Sequence, residues 1–195
     1  MDLPLAVRTF AFHLESEIIM QKFLGIDPGK SGGIALLTDD DILQVWPMPS
    51  SERMVASFFE KRIIPAGITF ALIEHEQGWS GEAQDRVTKF IRGFGILLGI
   101  LYMSHIDFDE IWAQTWHKAL GIKQRYKPPK PKPGFALVNF IPEETKAQFK
   151  NRLCGHAKQL FPGHDSDLDL DTCDAALIAE TARRIRTGYR GKALF

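Results

Sequence analysis

Four carboxylates sit where a chain would carry charge from its core to a cleft: Asp27, Glu74, Asp171 and Asp174. Asp27 ends the apolar run Lys22-Phe23-Leu24-Gly25-Ile26, just before the turn Pro28-Gly29-Lys30-Ser31-Gly32. A strand that ends in a carboxylate is costly unless the charge is paired or holds a cation. The plainer alternative is a turn aspartate that bonds its own backbone. Glu74 closes Thr69-Phe70-Ala71-Leu72-Ile73 in the same way, and Glu76 shares its face by the two-residue period of a strand. Asp171 and Asp174 are three apart, on one face of the first turn of a helix, where the helix dipole favours negative charge. If the first two runs pair in parallel, three elements converge four carboxylates at one sheet edge. Oxygen-only ligands select magnesium or manganese over zinc. Two such ions about 4 Å apart suit in-line displacement at a phosphodiester.

The elements that must position these groups follow from apolar periodicity. Lys22 to Asp27, Ile34 to Leu37 and Ile42 to Trp46 are expected as three antiparallel strands, with a turn at Asp39-Asp40-Asp41. Ser50 to Lys61 is an amphipathic helix capped by Ser50 or Ser51. Thr69 to Glu76 is the fourth strand, and His75 faces away from Glu74 as a structural residue. Glu82 to Met103 is a long helix, apolar on all sides from Phe94 to Leu101. Its Gly95 and Gly99 leave a shallow stripe, either against the chain's own sheet or against a second copy. Ile106 to Ile111 is the fifth strand, Trp112 to Leu120 a short helix stopped by Gly121, Pro142 to Leu160 a basic helix, and Asp171 to Arg186 the last.

Composition narrows the class. The 195 residues carry 24 Lys plus Arg against 24 Asp plus Glu, so net charge names no partner. Distribution is more telling. Lys118, Lys123, Arg125, Lys127, Lys130, Lys132, Lys146, Lys150, Arg152 and Lys158 face only Glu143 and Glu144, and the acidic stretch Asp165 to Asp174 follows. A basic segment beside a carboxylate cluster suits an enzyme acting on a polyanion. The prolines in Lys127-Pro128-Pro129-Lys130-Pro131-Lys132-Pro133 exclude helix and central strand, leaving an extended loop that is either a linker or a phosphate track. The run Asp165-Ser166-Asp167-Leu168-Asp169 fails as an EF-hand, with Leu170 at the glycine position and Ala176 at the glutamate position. Cys154 and Cys173 suggest neither a disulfide framework nor a zinc pattern, so a reducing cytoplasm is expected. No apolar run is long enough to span a bilayer, and no membrane partner is expected. Residues 1–21 are expected to be an extension, 22–187 one domain and 188–195 a tail.

The order Leu24-Gly25-Ile26-Asp27-Pro28-Gly29, Leu72-Ile73-Glu74 and Asp171-Thr172-Cys173-Asp174-Ala175-Ala176-Leu177 resembles the RuvC-type Holliday junction resolvases of the RNase H-like superfamily, over about Met20 to Arg186. The resemblance implies an α/β fold, with an RNase H-like mixed five-stranded sheet flanked by helices. It implies a homodimeric endonuclease that resolves four-way DNA junctions by paired symmetric nicks, leaving 5′-phosphate and 3′-hydroxyl ends. Asp27, Glu74, Asp171 and Asp174 would be the catalytic metal ligands, for two Mg2+ ions that Mn2+ can replace. Lys118, Lys146, Lys150 and Arg152 are the counterparts of the family's basic residues. Lys123, Arg125, Lys127, Lys130 and Lys132 would extend the DNA-binding surface, and Trp79 is the nearest aromatic to the one that wedges at the junction. The Lys-Pro loop and the Gly81 to Gly99 region look more like phage or divergent members, so a bacterial or phage-infected cytoplasm is implied.

Other readings share these residues. A broader branched-DNA or flap endonuclease would have the same carboxylates. The Asp27-Pro28-Gly29-Lys30-Ser31-Gly32 turn resembles the phosphate loop of sugar-kinase and actin-type ATPases, but those need two such domains and 195 residues cannot supply both. A non-catalytic junction-binding relative would be favoured by loss of a carboxylate, and all four are present.

Overall fold

Lys22–Asp27 forms β1, the middle strand of a five-stranded sheet, and every residue after Lys22 in it is buried. The structure is a computed structural model that describes residues 20–75, 84–127 and 142–188. β2 (Gly33–Thr38) and β3 (Leu43–Pro47) continue from β1 as an antiparallel meander, and β4 (Phe70–Glu74) and β5 (Phe108–Ile111) add in parallel on its other side. The strand order β3-β2-β1-β4-β5 makes the sheet mixed, as expected.

Alternate residues of β1 explain why helices must cover both faces. Phe23 points into a cluster with Leu37, Phe70, Leu72 and the last helices, whereas Leu24 and Ile26 point into a second with Val55, Phe59, Leu97 and Leu101. Each such fully buried side chain contributes about 1.5–3 kcal/mol, so neither face can be left wet. α1 (Glu52–Phe58) and α2 (Gln84–Met103) cover the second face. α3 (Ala113–Ala119), α4 (Lys146–Leu160) and α5 (Cys173–Thr187) cover the first.

α5 lies directly across β1 because Gly25 has no side chain. A Cβ there would stand 2.2 Å from the Ala175 carbonyl oxygen and 2.4 Å from the Ala179 nitrogen. The helix is buried from Cys173 to Arg183, and the acid at its middle, Glu180, is held by Arg183 (2.6 Å) and Arg184 (2.7 Å). Arg183 also pairs with Asp41 of the β2–β3 turn, which ties the far end of α5 to the sheet.

Several boundaries differ from expectation for identifiable reasons. α1 ends at Phe58, and the chain continues as a π turn over Phe59–Ile63 before Pro65 tightens it. α4 starts at Lys146 rather than Pro142, because Thr145 and Gln148 form a capping box there. α5 starts at Cys173, so Asp171 precedes the helix instead of lying in its first turn. No described residue comes within 4 Å of where a Cβ on Gly95 or Gly99 would stand, while Leu97 and Leu101 of the same helix are buried, so the glycine stripe does not pack on the chain's own sheet. The reading that Cys154 and Cys173 suggest no disulfide framework is corrected as well. Packing of α4 on α5 brings together Cys154 and Cys173, 19 residues apart in sequence, as a disulfide with Cα atoms 5.1 Å apart. No described helix is long and apolar enough to cross a membrane. Glu76, Trp79, Lys130 and Lys132 lie outside the described residues, as do most of the extension and the tail.

Candidate active site

The parallel register of β1 and β4 pairs Ile26 with Ile73, so Asp27 and Glu74 leave the core at the same edge of the sheet. Asp27 stays 7% exposed there. Its partner across the β1–β2 pairing is Gly33, and a Cβ on Gly33 would stand 2.6 Å from the Asp171 carbonyl oxygen. The missing side chain therefore lets the segment ahead of α5 settle against the strand that carries Asp27.

That segment is shaped by Asp169. Its Oδ1 accepts from the backbone N–H of Asp171 (2.9 Å), from the N–H of Thr172 (3.0 Å) and from the Thr172 hydroxyl (2.9 Å). Sequence reasoning missed this role, reading the acidic run only as a failed calcium loop. The signal was an aspartate three residues ahead of a threonine, which favours a local side-chain-to-backbone turn.

Asp174 lies in the first turn of α5, 8% exposed. Lys150 of α4 reaches it, and Nζ donates to Asp174 Oδ2 at 2.8 Å. Burial works against the Lys150 charge, but attraction to Asp174, and then to Asp27 and Asp171, outweighs it and raises the ammonium's pKa. Three of the four expected carboxylates thus share the field of one ammonium. Burial pushes the Asp174 carboxyl above the ordinary aspartate range, against the opposing pull of Lys150.

Asp174 Oδ1 is buried and has no hydrogen-bond partner among the described residues. An orphaned carboxylate oxygen in an all-oxygen set fits a hard divalent cation, and Asp27, Asp171 and Asp174 with Glu74 are the residues that would hold one. Among the described residues no three His, Cys, Asp or Glu side chains stand ready-assembled as a metal-binding group. The positive charge at the cluster comes from Lys150.

Glu74 is held from below. Trp116 of α3, 1% exposed, donates its indole N–H to Glu74 Oε2 at 3.0 Å. Beside it His117 is buried between the Trp116 and Phe149 rings, with ring centroids 4.0 and 5.4 Å away. Burial first, and the nearby Arg152 charge second, lower the His117 pKa to about 4, so it is a neutral core residue at pH 7.

The basic residues divide into two sets. Lys118 and Lys123 are exposed and line an open groove of about 680 Å³ with Gln114, Thr115 and Gln124. Lys127 and Lys146 are exposed too. Arg125 and Arg152 are engaged internally, Arg125 with Glu143 (3.0 Å) and Arg152 with Glu144 (2.9 Å) and the Lys123 carbonyl (3.1 Å). His75, expected to be structural, pairs with Glu110 (2.5 Å) and meets Trp112 at a tilt, with ring centroids 4.1 Å apart; that indole, just after β5, is 46% exposed.

No family model matches this sequence, and no curated protein matches it. Solved structures do match its fold. Thermus thermophilus RuvC in complex with a Holliday junction substrate aligns with a TM-score of 0.52 and 13% identity, over 86% of this chain and 97% of that one. A second Thermus thermophilus RuvC structure aligns over the same shares with a TM-score of 0.44 and 14% identity. At 13% identity the first likeness establishes a RuvC-like, RNase H-like fold.

Proposed function

We propose that this chain is a metal-dependent, structure-selective endodeoxyribonuclease that resolves four-way DNA junctions by paired nicks. The observation that carries the reading is the gathering of Asp27, Asp171 and Asp174 around the Lys150 ammonium, with Glu74 at the same sheet edge on the parallel neighbour of β1. A carboxylate cluster of this kind repels a phosphodiester unless cations neutralise it. The fold's likeness to a RuvC captured on a Holliday junction supports branched DNA as the substrate class.

When bound, two Mg2+ ions would supply charge neutralisation and in-line hydrolysis chemistry. The chain's own residues do the rest. Asp27 and Glu74 end strands and Asp174 lies in a buried helix turn, so regular elements carry three of the four proposed ligands. Lys150 offers a cation already directed at the cluster, close to where a scissile phosphate would lie. Lys118, Lys123, Lys127 and Lys146 are the exposed charges that would follow the DNA backbone, with Lys130 and Lys132 extending them.

Paired nicking needs two sites, and we assign the second to another copy docked through α2. Ile91 is 59%, Tyr102 67% and Met103 81% exposed on that helix, beside the uncovered Gly95 and Gly99. That is the composition of a close helix–helix contact rather than a wetted face.

The test is cleavage of a mobile four-way junction, a flap, a splayed arm and a linear duplex of shared sequence, with Mg2+ or Mn2+. Symmetric nicks confined to the junction, with 5′-phosphate ends, are expected. Equal cutting of flaps and splayed arms would make it a general branched-DNA nuclease. Binding without cutting would make it a junction-binding protein.

A further inference from the structure

Glu74 is the longest of the four proposed ligands, and its extra methylene gives its carboxylate more rotamers than an aspartate has. Something must choose among them if the group is to meet a cation in one orientation. The neighbouring strand supplies the means. β5 pairs with β4 so that Ile111 lies opposite Glu74, and the His75 N–H donates to the Ile111 carbonyl at 2.8 Å. The chain turns into α3 at the next residue, Trp112. One turn later Trp116, whose N–H donates to the Trp112 carbonyl at 3.3 Å, arrives beneath the end of β4.

Trp116 packs in the α5-side core, and a Phe or Leu would serve that packing alone. An indole differs by one polar atom, a donor with no acceptor capacity. In a side chain 1% exposed that N–H must find a partner, and it finds Glu74 Oε2 at 3.0 Å. Donation to an ionised carboxylate is the stronger, more directional class of hydrogen bond. Lys150 restrains Asp174 in a comparable way from the other side of the cluster.

We infer that Trp116 is a positioning residue of the proposed nuclease site, its indole N–H orienting the Glu74 carboxylate toward the divalent cation. The inference rests on the nuclease reading. Outer partners that orient a ligating carboxylate typically tune metal affinity roughly 10- to 100-fold.

The experiment compares Mn2+ uptake by the DNA-free chain, read from the free-ion electron paramagnetic resonance signal, in wild type and Trp116→Phe. A second protein carries benzothienylalanine at position 116, which keeps the indole's shape, replaces N–H by sulfur and survives if the phenylalanine variant does not fold. Both are expected to bind Mn2+ about 10- to 100-fold more weakly. Junction nicking should recover toward the wild-type rate as Mn2+ is raised, and the melting temperature of the benzothienyl protein should stay near wild type. An unshifted Mn2+ curve in the benzothienyl protein would overturn the inference and leave the nuclease intact. A wild type that neither takes up Mn2+ nor nicks branched DNA would overturn the nuclease reading, and this inference with it.

Discussion

Asp174 keeps a carboxylate at 8% exposure, with one oxygen on Lys150 and the other without a hydrogen bond among the described residues. Such a group is held by charge, so its neighbours decide both stability and chemistry. Replacing Lys150 with methionine removes the ammonium that donates to Asp174 Oδ2 while leaving the stem's packing. Loss of one partner of a buried pair costs about 3–5 kcal/mol, and the partial exposure of Lys150 discounts that to about 1–3 kcal/mol. Chemical denaturation of Lys150→Met should show that loss. Added Mg2+ should then raise its melting temperature more than it raises the wild type's, because a cation can take the ammonium's place. Asp27→Asn acts on chemistry instead. It deletes a ligand charge without touching a phosphate-facing lysine, so cleavage of a four-way junction should fall below detection while a gel-shift titration shows binding unchanged. Turnover by that variant at the wild-type rate would remove Asp27 from the site.

Each carboxylate is only as well placed as the element that carries it, and α5 on β1 is the decisive packing. Gly25→Ala drives a methyl into the Ala175 and Ala179 backbone, where no side chain can turn aside. Overpacking usually costs about 1–3 kcal/mol, and a clash with helix backbone belongs at or above the top of that range. Urea unfolding should place the variant there, with cleavage abolished through displacement of Asp171 and Asp174. α3 makes a separate prediction through His117, which is 5% exposed with a pKa of about 4 in the fold against 6.5 in the free chain. Between those values the unfolded chain binds a proton that the folded chain refuses, so stability falls as pH drops from about 6.5 to about 4 and levels off below. The full loss is of order 3 kcal/mol. Urea titrations at pH 7.5, 5.5 and 4 should show a smaller acid loss in His117→Gln than in wild type, the difference isolating this residue from the carboxylates.

For the whole molecule, the proposed function requires a long polyanion to cross the cluster and a second copy to complete it. Lys127 is exposed and continues in sequence into the Lys-Pro loop, so neutralising Lys127, Lys130 and Lys132 together should weaken junction binding. The slope of log affinity against log salt should become shallower by roughly 0.9 for each duplex phosphate that the loop no longer neutralises. An unchanged slope would make the loop a linker. Arg125 and Arg152 carry less of this expectation, because Glu143, Glu144 and backbone carbonyls already engage them.

The parallel pairing of the two carboxylate-ended strands stood as a condition until the register of the sheet met it, and Asp171 fell ahead of the late helix instead of inside it. Sequence alone determined the order of the elements, the two apolar runs that end in Asp27 and Glu74, and the late helix that carries Asp174. These are legible because burial imposes periods on residue type, and a charge that interrupts an apolar run marks where a strand leaves the core. The packing of α4 on α5 could not be read in that way. It joins Cys154 to Cys173 and carries Lys150 to Asp174 across 24 residues, and no local pattern encodes so distant a meeting. The same holds for Trp116 under Glu74, since an indole in a short helix looks like ordinary core until the neighbouring strand is in place. Asp169 lies between the two cases, a local turn visible in the spacing but masked by its acidic neighbours. Local propensity sets elements, whereas partners of buried polar atoms are chosen by packing, and only the tertiary structure shows which polar atoms became buried together.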